Sequence, residues 1–362
     1  MNVAIPISRF DSSGGIRVLT VLANGLAARG YHVSFVVPRG RHSSYFPLHK
    51  EVSVHVIGHD AGDSLIGGLI KKVQLGFGVP RNQHAVIANA FMTAYSVKFN
   101  KLIGRTERGL YFVQHYEPMA FGEHGHGPSW LKRLKTKAAE YTYSLGLECV
   151  TNSQWTARML REKHHAESIV APLGVDTAIF HPNPVVHESE DRSSIIMAIG
   201  NNNPIKRFGL FAETAQVLQS RRNFNFRIAS HNPSLFQISG VEAAGISPKN
   251  DHEMARLYHE ASVFVSTSES EGFGLPLLEA MACGTPVVTT DSGGIHDFCK
   301  NRMNCIIVPS ARAEDLADAV MEIVSNHELR NKLIKNGLDT AKLWTWERLI
   351  DVFDRLLKEC EE

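Results

Sequence analysis

The 362-residue sequence has few of the features that mark a disulfide-stabilised, zinc-binding or membrane-spanning protein. Its five cysteines are scattered and form no C-x-x-C pair, which argues against a disulfide framework and against a zinc site. It contains no run of about 18 apolar residues, so we expect no segment to span a bilayer. The first residues, MNVAIPISRF, lack the basic region and cleavage pattern of a secretory signal. We therefore expect a cytoplasmic protein.

The sequence also lacks the G-x-G-x-x-G loop by which many dinucleotide enzymes hold their cofactor. The segment SSGGIRV stands in that position instead. The next predicted strand ends at Pro38 and Arg39, where an acidic residue would contact the ribose. Hydride transfer with a nicotinamide cofactor is therefore not favoured.

The formal net charge of +1 hides an uneven distribution. Residues 1–183 carry 20 Lys and Arg against 12 Asp and Glu (net +8), and residues 184–362 carry 18 against 25 (net −7). Two halves of opposite charge indicate different partners. A chain of this length also exceeds what one hydrophobic core normally covers, so we expect two domains.

The first half alternates apolar, β-branched runs with stretches of helical periodicity. A strand, a glycine-rich loop, a helix and a second strand open the chain, which predicts a βαβ unit and a parallel sheet. The predicted strands are VAIPI, HVSFVV, VSVHVI, AVIANA, GLYFVQH and LECVTNS, with helices at IRVLTVLANGLAARG and around 93–103, 130–145 and 154–163. Residues 1–183 are therefore predicted to form a doubly wound α/β domain.

The same alternation restarts after a polar, proline-containing segment that ends near residue 193. The predicted strands are SIIMAIG, FNFRIAS, ASVFVST, TPVVTT and NCIIVP, with helices near 208–219, 251–260, 276–282, 312–325 and 327–342. We expect a second doubly wound domain over 184–344, and a final helix over 345–362 that packs back on the first domain. Two facing domains of this kind would bind a ligand in the cleft between their sheets.

The segment ESEGFGLPLLEAMACGTPVV (269–288) places Glu271 and Glu279 on either side of a helix start. Pro276 suits the first helical turn and Gly284 suits the position after the last. In the simplest interpretation Glu279 complements the helix dipole and Glu271 is a solvated loop residue. Alternatively, both carboxylates accept hydroxyls of one ligand while the N–H groups between them bind a diphosphate.

Other residues could complete such a site. Lys206 and Arg207 follow the first strand of the second half, where a cation could neutralise a phosphate, although such a pair is often only solvated surface charge. Gly14 and Gly15 are expected just before the first helix, where the absence of a side chain lets a ligand approach the backbone. A nucleotide sugar has the required diphosphate and hydroxyl groups.

In these segments the sequence resembles the retaining GT-B glycosyltransferases usually numbered family 4. The resemblance rests on the spacing of Glu271 and Glu279 and on the segments AMACGTPVV, GGIHDF, VAPLGVDTAIF, TNSQWTARML and GGIRVL, in the family's order. It implies a GT-B fold and an enzyme that moves a sugar from a nucleotide diphosphate sugar to an acceptor. The implied acceptor is a glycan, a lipid-linked molecule or a cell-envelope component, and no nucleic acid partner is expected.

The resemblance also implies roles for individual residues. Glu271 would contact hydroxyls of the donor sugar, Glu279 would contact the ribose, and Lys206 would stabilise the leaving diphosphate. The implied catalytic residues are Lys206, Glu271 and His115, and the implied donor-binding residues are Gly14, Gly15, Arg207, Phe273, Gly274, Leu275 and Glu279. No D-x-D triplet occurs, so we expect neither a metal nor another cofactor.

The chain departs from the family pattern at two positions. Asn201 replaces an arginine that usually precedes the lysine, so that Arg207 would have to supply the missing contact. Asp297 stands where a glutamate is usual. These departures leave two alternatives open: a catalytically silent module that binds a nucleotide sugar, and a nucleotide-sugar epimerase.

The basic N-terminal half is the expected acceptor side. Residues 64–80 and the segment SWLKRLKTK (129–137) mix apolar and basic side chains, which suits an anionic membrane surface or an acidic acceptor. Both segments can equally be ordinary amphipathic helices. The segment EHGHG (123–127) invites a metal interpretation but is more typical of a surface loop.

Overall fold

The chain divides into two compact domains. The structure is a computed structural model that describes residues 1–40, 44–58, 74–122, 127–183 and 195–359. The N-terminal domain comprises Met1–Leu173 and Trp346–Glu362, and the C-terminal domain comprises Gly174–Thr345. This boundary precedes the predicted one at residue 183, because the segment after Gly174 already packs on the C-terminal domain. Val175 donates its N–H to the carbonyl of Trp344 (3.0 Å), and the ring of Phe180 lies edge-on to that of Tyr258.

The N-terminal domain is built on a seven-stranded parallel sheet. Its strands are β1 (Asn2–Pro6), β2 (His32–Pro38), β3 (Ser53–Ile57), β4 (Gln83–Ala88), β5 (Thr106–Val113), β6 (Glu148–Thr151) and β7 (Ser168–Val170). Their order is β3-β2-β1-β4-β5-β6-β7, so the direction of winding reverses between β1 and β4. The central strands are runs of Val, Ile, Ala and Phe because both faces are buried.

Helices cover this sheet. They are α1 (Gly14–Ala28), α2 (Phe91–Leu102), α3 (Pro118–Phe121), α4 (Ser129–Thr142) and α5 (Gln154–His164). Ser13 caps α1 by accepting the N–H of Ile16, and Ser153 caps α5 by accepting the N–H of Thr156. The helix α1 therefore begins at Gly14, which corrects the expectation that Gly14 and Gly15 precede it.

The C-terminal domain repeats the architecture with a six-stranded parallel sheet. Its strands are β8 (Ile195–Ile199), β9 (Asn225–Ala229), β10 (Ala243–Ile246), β11 (Val263–Ser266), β12 (Val287–Thr290) and β13 (Ile306–Val308). Its helices are α6 (Phe208–Arg221), α7 (Asp251–Glu260), α8 (Leu275–Ala282), α9 (Ala313–Ser325) and α10 (His327–Leu343). The order β10-β9-β8-β11-β12-β13 is that of a dinucleotide-binding fold, with its reversal between β8 and β11.

The last helix, α11 (Trp346–Lys358), returns to the N-terminal domain as predicted. Its apolar residues recur at helical spacing, and the ring of Phe353 packs edge-on against Phe112 of β5 (5.1 Å between centroids). Arg29, at the end of α1, pairs with Asp351 (2.5 Å) and Asp354 (3.2 Å). None of the helices formed by the described residues has the length and apolar content needed to cross a bilayer.

Candidate functional site

Seven of the ten predicted site residues lie in the C-terminal domain, and most of them are in loops at one edge of its sheet. The loop after β8 carries Lys206 and the loop after β11 carries Glu271, so the two lie on either side of the point where the strand order reverses. Parallel sheets of this kind bind ligands at the carboxyl ends of the strands beside that point. The topology therefore explains why residues 65 positions apart meet here.

The backbone of Lys206 is fixed by short-range hydrogen bonds. Asn201 accepts the N–H of Asn203 (2.8 Å), and Asn203 in turn caps a short 3₁₀ helix, Pro204–Lys206, by accepting the N–H of Ile205 (3.1 Å). The amide of Asn201, which stands where the family usually has an arginine, is thus used to shape the loop.

Arg207 follows in a left-handed conformation (φ 45°), which is uncommon for a residue with a side chain. The hydroxyl of Thr267, which directly follows β11, donates to the carbonyls of Lys206 (3.1 Å) and Arg207 (3.0 Å). These hydrogen bonds stabilise the turn. The guanidinium of Arg207 pairs with Glu269 at 2.5 Å. Arg207 is therefore not a free surface charge, and a ligand would meet it as part of an ion pair.

Glu271 is buried and forms the centre of the site. The Nζ atom of Lys206 donates to both carboxylate oxygens at 2.7 Å, and Ser268 donates its hydroxyl to Oε1 at 2.7 Å. The interpretation of Glu271 as a solvated loop residue is therefore wrong. A buried carboxylate is stabilised when a cation and further donors satisfy its oxygens, which is the arrangement found here.

The backbone around Glu271 is held by the glycine pair Gly293–Gly294. Glu271 donates its N–H to the carbonyl of Ser292 (2.7 Å) and accepts the N–H of Gly294 (3.0 Å). A Cβ atom on Gly294 would stand 2.0 Å from the carbonyl oxygen of Gly272 and 2.7 Å from that of Glu271. Because both obstacles are backbone atoms, only glycine fits at this position.

The helix α8 begins directly beside this carboxylate. Gly274 precedes it with φ 95°, and Pro276 occupies its first turn, as predicted. The first N–H groups of a helix have no partner within the helix and attract anions. The side chain of Phe273 packs against Phe298 and Trp344 (5.0 and 5.4 Å between centroids), so Phe273 can meet a ligand only through its backbone.

Glu279 lies in the second half of α8 and is also buried. Its Oε2 atom accepts the hydroxyl of Tyr258 at 3.1 Å. Because Glu279 lies beyond the first turn and is removed from solvent, complementing the helix dipole does not explain it. Its predicted contact with a ribose stays a prediction.

The remaining predicted residues belong to the N-terminal domain. Apart from its own helix backbone and adjacent residues, no described atom lies within 4 Å of where a Cβ of Gly14 would be, whereas Gly15 faces Gln114, whose side-chain N–H donates to the carbonyl of Gly15 (3.2 Å). His115 follows Gln114, two residues after β5 ends, with its ring 6.4 Å from that of Trp155. Gly14, Gly15 and His115 therefore share the carboxyl edge of this sheet.

Several residues that hold the site were not predicted from the sequence. Ser268 and Thr267 lie in the same motif as Glu271, and their hydroxyls could have been suspected from the segment STSES. Ser292 contributes a backbone carbonyl, and Tyr258 lies in a different helix, so nothing in their sequence context marks them. Each acts through its position in the fold.

The described residues contain no group of three or more His, Cys, Asp or Glu side chains placed to hold a metal ion. Of the segment EHGHG, residues 123–126 lie outside the described part of the chain, as do residues 64–73 of the predicted segment 64–80. The absence of a metal and of other cofactors stays a prediction.

Residues 184–340 match the family model described as Glycosyl transferases group 1. This glycosyltransferase family model therefore covers most of the C-terminal domain. An uncharacterized glycosyltransferase of Methanocaldococcus jannaschii is 33% identical over 31% of the chain and 32% of its own length. A D-inositol 3-phosphate glycosyltransferase of Actinosynnema mirum is 34% identical over 51% of the chain and 49% of its own length. The chain thus spans about a third to a half of these curated relatives.

Solved structures share the fold over nearly the whole chain. A sucrose-phosphate synthase from Thermosynechococcus elongatus superposes with a TM-score of 0.82 at 18% identity, covering 99% of this chain and 98% of its own. Anabaena HepE, solved in complex with UDP and glucose, superposes with a TM-score of 0.75 at 13% identity. The superposition covers 98% of this chain and 99% of HepE. The predicted GT-B fold is confirmed.

Proposed function

We propose that the chain is a glycosyltransferase that moves a sugar from a nucleotide diphosphate sugar to a glycan, lipid-linked or cell-envelope acceptor. One observation carries the proposal. Lys206 donates to both oxygens of the buried Glu271 carboxylate, where the strand order reverses and α8 begins. This places an ammonium group, a carboxylate and the positive end of the α8 helix dipole together in a domain that matches a glycosyltransferase family model.

These groups match the charges of the reaction. When the bond between the sugar and the diphosphate breaks, negative charge grows on the diphosphate oxygens. Lys206 and the first N–H groups of α8 would stabilise that charge without rearranging, which is a large catalytic effect. Glu271 keeps Lys206 in place, and a carboxylate has enough lone pairs to accept a sugar hydroxyl in addition.

The finer parts of the proposal follow from the family resemblance. We propose a family 4 enzyme that retains the anomeric configuration and needs no divalent metal, because Lys206 and helix N–H groups would supply the positive charge. The complexes of Anabaena HepE with UDP and with UDP-glucose make uridine diphosphate sugars the first donors to test.

Thermal denaturation with a panel of nucleoside diphosphates and their sugars tests the donor site. A ligand that binds only the folded state raises the melting temperature, and a concentration one hundred times the Kd stabilises by about 2.7 kcal/mol. We expect one nucleoside diphosphate and its sugar to stand out. If no member of the panel raises the melting temperature, the proposed donor class is wrong.

Slow hydrolysis of the donor without any acceptor separates the alternatives. A transferase should release the free sugar, since water can replace the acceptor. A silent binding module should release none, and an epimerase should convert the donor to another nucleotide sugar. Product analysis by chromatography distinguishes the three outcomes.

We also propose that the N-terminal domain binds the acceptor at the inner face of an anionic membrane. The outward face of α4 carries Trp130, Leu134 and Tyr141, each about 60% exposed (66%, 59% and 60%). The exposed residues Arg133 and Lys137 lie on the same face. Apolar side chains flanked by basic ones suit the interface of anionic lipids.

Sedimentation with vesicles tests this surface. Each basic residue near an anionic surface contributes about 1 kcal/mol, so the double variant Arg133→Glu and Lys137→Glu should bind phosphatidylglycerol-containing vesicles at least about tenfold more weakly. The pair Lys332→Glu and Lys335→Glu on α10 makes the same charge change and should bind normally. Equal loss in both variants would mean that net charge, and not α4, controls binding.

A further inference from the structure

A buried tyrosine holds the second carboxylate of the site. Tyr258, in the last turn of α7, is fully buried and donates its hydroxyl to Oε2 of Glu279 at 3.1 Å. Glu279 is itself only 5% exposed. A hydrogen bond to a buried carboxylate is worth more than one in water, because the charged group has few other sources of stabilisation.

The position of the Tyr258 hydroxyl is fixed by two ring contacts and a backbone hydrogen bond of the same residue. Its ring lies edge-on to Phe264 of β11 (5.3 Å, 85°) and to Phe180 (6.2 Å, 61°). Its carbonyl accepts the hydroxyl of Thr285 at 2.5 Å. The tyrosine therefore connects a strand, the first segment of the domain and the turn after α8, and it cannot shift without disturbing all three.

We propose that Tyr258 is a positioning residue that sets the preference of the donor site for ribonucleotides over deoxyribonucleotides. By holding Oε2, it fixes the orientation of the Glu279 carboxylate, so that this carboxylate accepts the ribose hydroxyls in one geometry. A site built to bind a hydroxyl discriminates strongly against an analogue that lacks it, provided that the acceptor stays in place. This inference rests on the proposed function and on the predicted contact of Glu279 with the ribose, because it assumes a nucleotide donor bound at that carboxylate.

The test uses the full-length chain and the variant Tyr258→Phe, which keeps the ring contacts and removes only the hydroxyl. The probes are UDP, its 2′-deoxy and 3′-deoxy analogues, and inorganic pyrophosphate, which has no ribose. Calorimetry should show that the wild-type protein prefers UDP over at least one deoxy analogue by about tenfold or more. In Tyr258→Phe we expect that preference to fall to within about threefold, with pyrophosphate affinity unchanged.

Thr285→Val is the matched control. It removes a buried hydrogen bond to the same tyrosine but leaves the hydroxyl that contacts Glu279. It should lower the melting temperature and keep the ribose preference, which a merely structural role of Tyr258 would not predict. Glu279→Gln tests the same contact from the carboxylate side, should also lose the preference, and remains informative if Tyr258→Phe folds poorly.

The outcomes separate this inference from the proposed function. If Tyr258→Phe or Glu279→Gln keeps the full preference, the positioning role is wrong. If the wild-type protein transfers sugar but binds UDP and both deoxy analogues equally, the ribose contact is wrong while the glycosyltransferase proposal stands. If the double variant Tyr258→Phe and Glu279→Gln loses as much binding free energy for UDP as the sum of the two single variants, the two residues act independently and the inference fails.

Discussion

The two domains share one topology but differ at the edge where their strands end. In the C-terminal domain that edge is closely packed and charged: Gly294 lies against backbone atoms, and the buried carboxylate of Glu271 is paired with Lys206. In the N-terminal domain Gly14, at the start of the helix that follows β1, has no described neighbour within 4 Å of where a Cβ would stand, apart from its own helix backbone and adjacent residues. A carboxylate near this edge, that of Glu117, accepts hydrogen bonds from neutral donors instead.

The difference indicates a division of labour. A prearranged ion pair beside a helix start is suited to an anionic ligand of defined shape, because it needs no reorganisation when the ligand arrives. At the N-terminal edge the described residues form a solvent-exposed ion pair, Arg9–Asp11 (2.8 Å), and the neutral contacts of Glu117, which suits a more varied ligand. The comparison therefore favours binding of the donor to the C-terminal domain and of the acceptor to the N-terminal domain. Three substitutions test this contrast between the domains.

The largest effect is expected for Lys206→Ala. The variant removes the cation that would stabilise the leaving diphosphate and leaves Glu271 without its ion-pair partner. We expect turnover to fall at least about tenfold (1.4 kcal/mol of barrier), and loss of one preorganised donor in other enzymes costs about 100-fold or more. Steady-state rates with saturating donor measure the effect.

Arg221→Ala is the control for Lys206→Ala. Arg221 forms an ion pair of similar length with Asp318 (2.5 Å) in the same domain, but on the surface of α6 and α9. It should leave turnover within about twofold of the wild-type value, since exposed ion pairs contribute little. Wild-type turnover in Lys206→Ala would remove this lysine from the mechanism.

The next effect is expected for Gly294→Ala. The added methyl group would collide with the carbonyl of Gly272, and backbone atoms cannot move aside cheaply. Overpacking of this kind costs about 1–3 kcal/mol or more, so we expect a lower melting temperature and weaker donor binding. Gly14→Ala makes the same change in the N-terminal domain, where space is open, and should change stability by no more than about 1 kcal/mol. Equal destabilisation by both would contradict the contrast between the two edges.

Much of this fold could be predicted, because hydrophobic periodicity and glycine or proline boundaries mark the long helices and central strands. Two edge strands, β7 (Ser168–Val170) and β10 (Ala243–Ile246), were missed. The first has three residues, and the second is mostly Ala and Gly, which have low strand propensity. Short strands at a sheet edge form because a neighbour offers hydrogen bonds, which a local pattern does not record.

The individual residues of the site could be predicted from the sequence, but the contacts between them could not. Lys206 and Glu271 could be placed at strand ends, whereas their direct pairing depends on β8 and β11 being neighbours in the sheet. The burial of Glu279 could not be predicted, because its partner Tyr258 resembles any other core aromatic in sequence. Motifs identify chemical groups, and strand order decides which of them meet.

The smallest effect on activity is expected for Glu117→Gln, whose consequence is a change in the pH dependence of stability. Burial raises the pKa of Glu117 to about 7, while the hydrogen bonds from Tyr111 (3.1 Å) and from the N–H of Phe91 (2.9 Å) act in the opposite direction. A carboxyl whose pKa is raised on folding contributes stability below its unfolded pKa of about 4.5, and this contribution is lost as the pH rises through 7.

For wild-type protein this carboxyl should therefore cost roughly 2 kcal/mol of stability between pH 5 and pH 7. Glu117→Gln cannot ionise, so its stability relative to wild type should increase by that amount over the same range, as measured by urea denaturation at each pH. Glu162→Gln removes an exposed carboxylate from α5, and its stability should change with pH in the same way as that of the wild-type protein. If the stability of Glu117→Gln also follows that of the wild-type protein at each pH, Glu117 is ionised in the folded protein at pH 5. A cation or water must then stabilise its carboxylate, as Lys206 stabilises that of Glu271. The contrast between the two domains would then disappear.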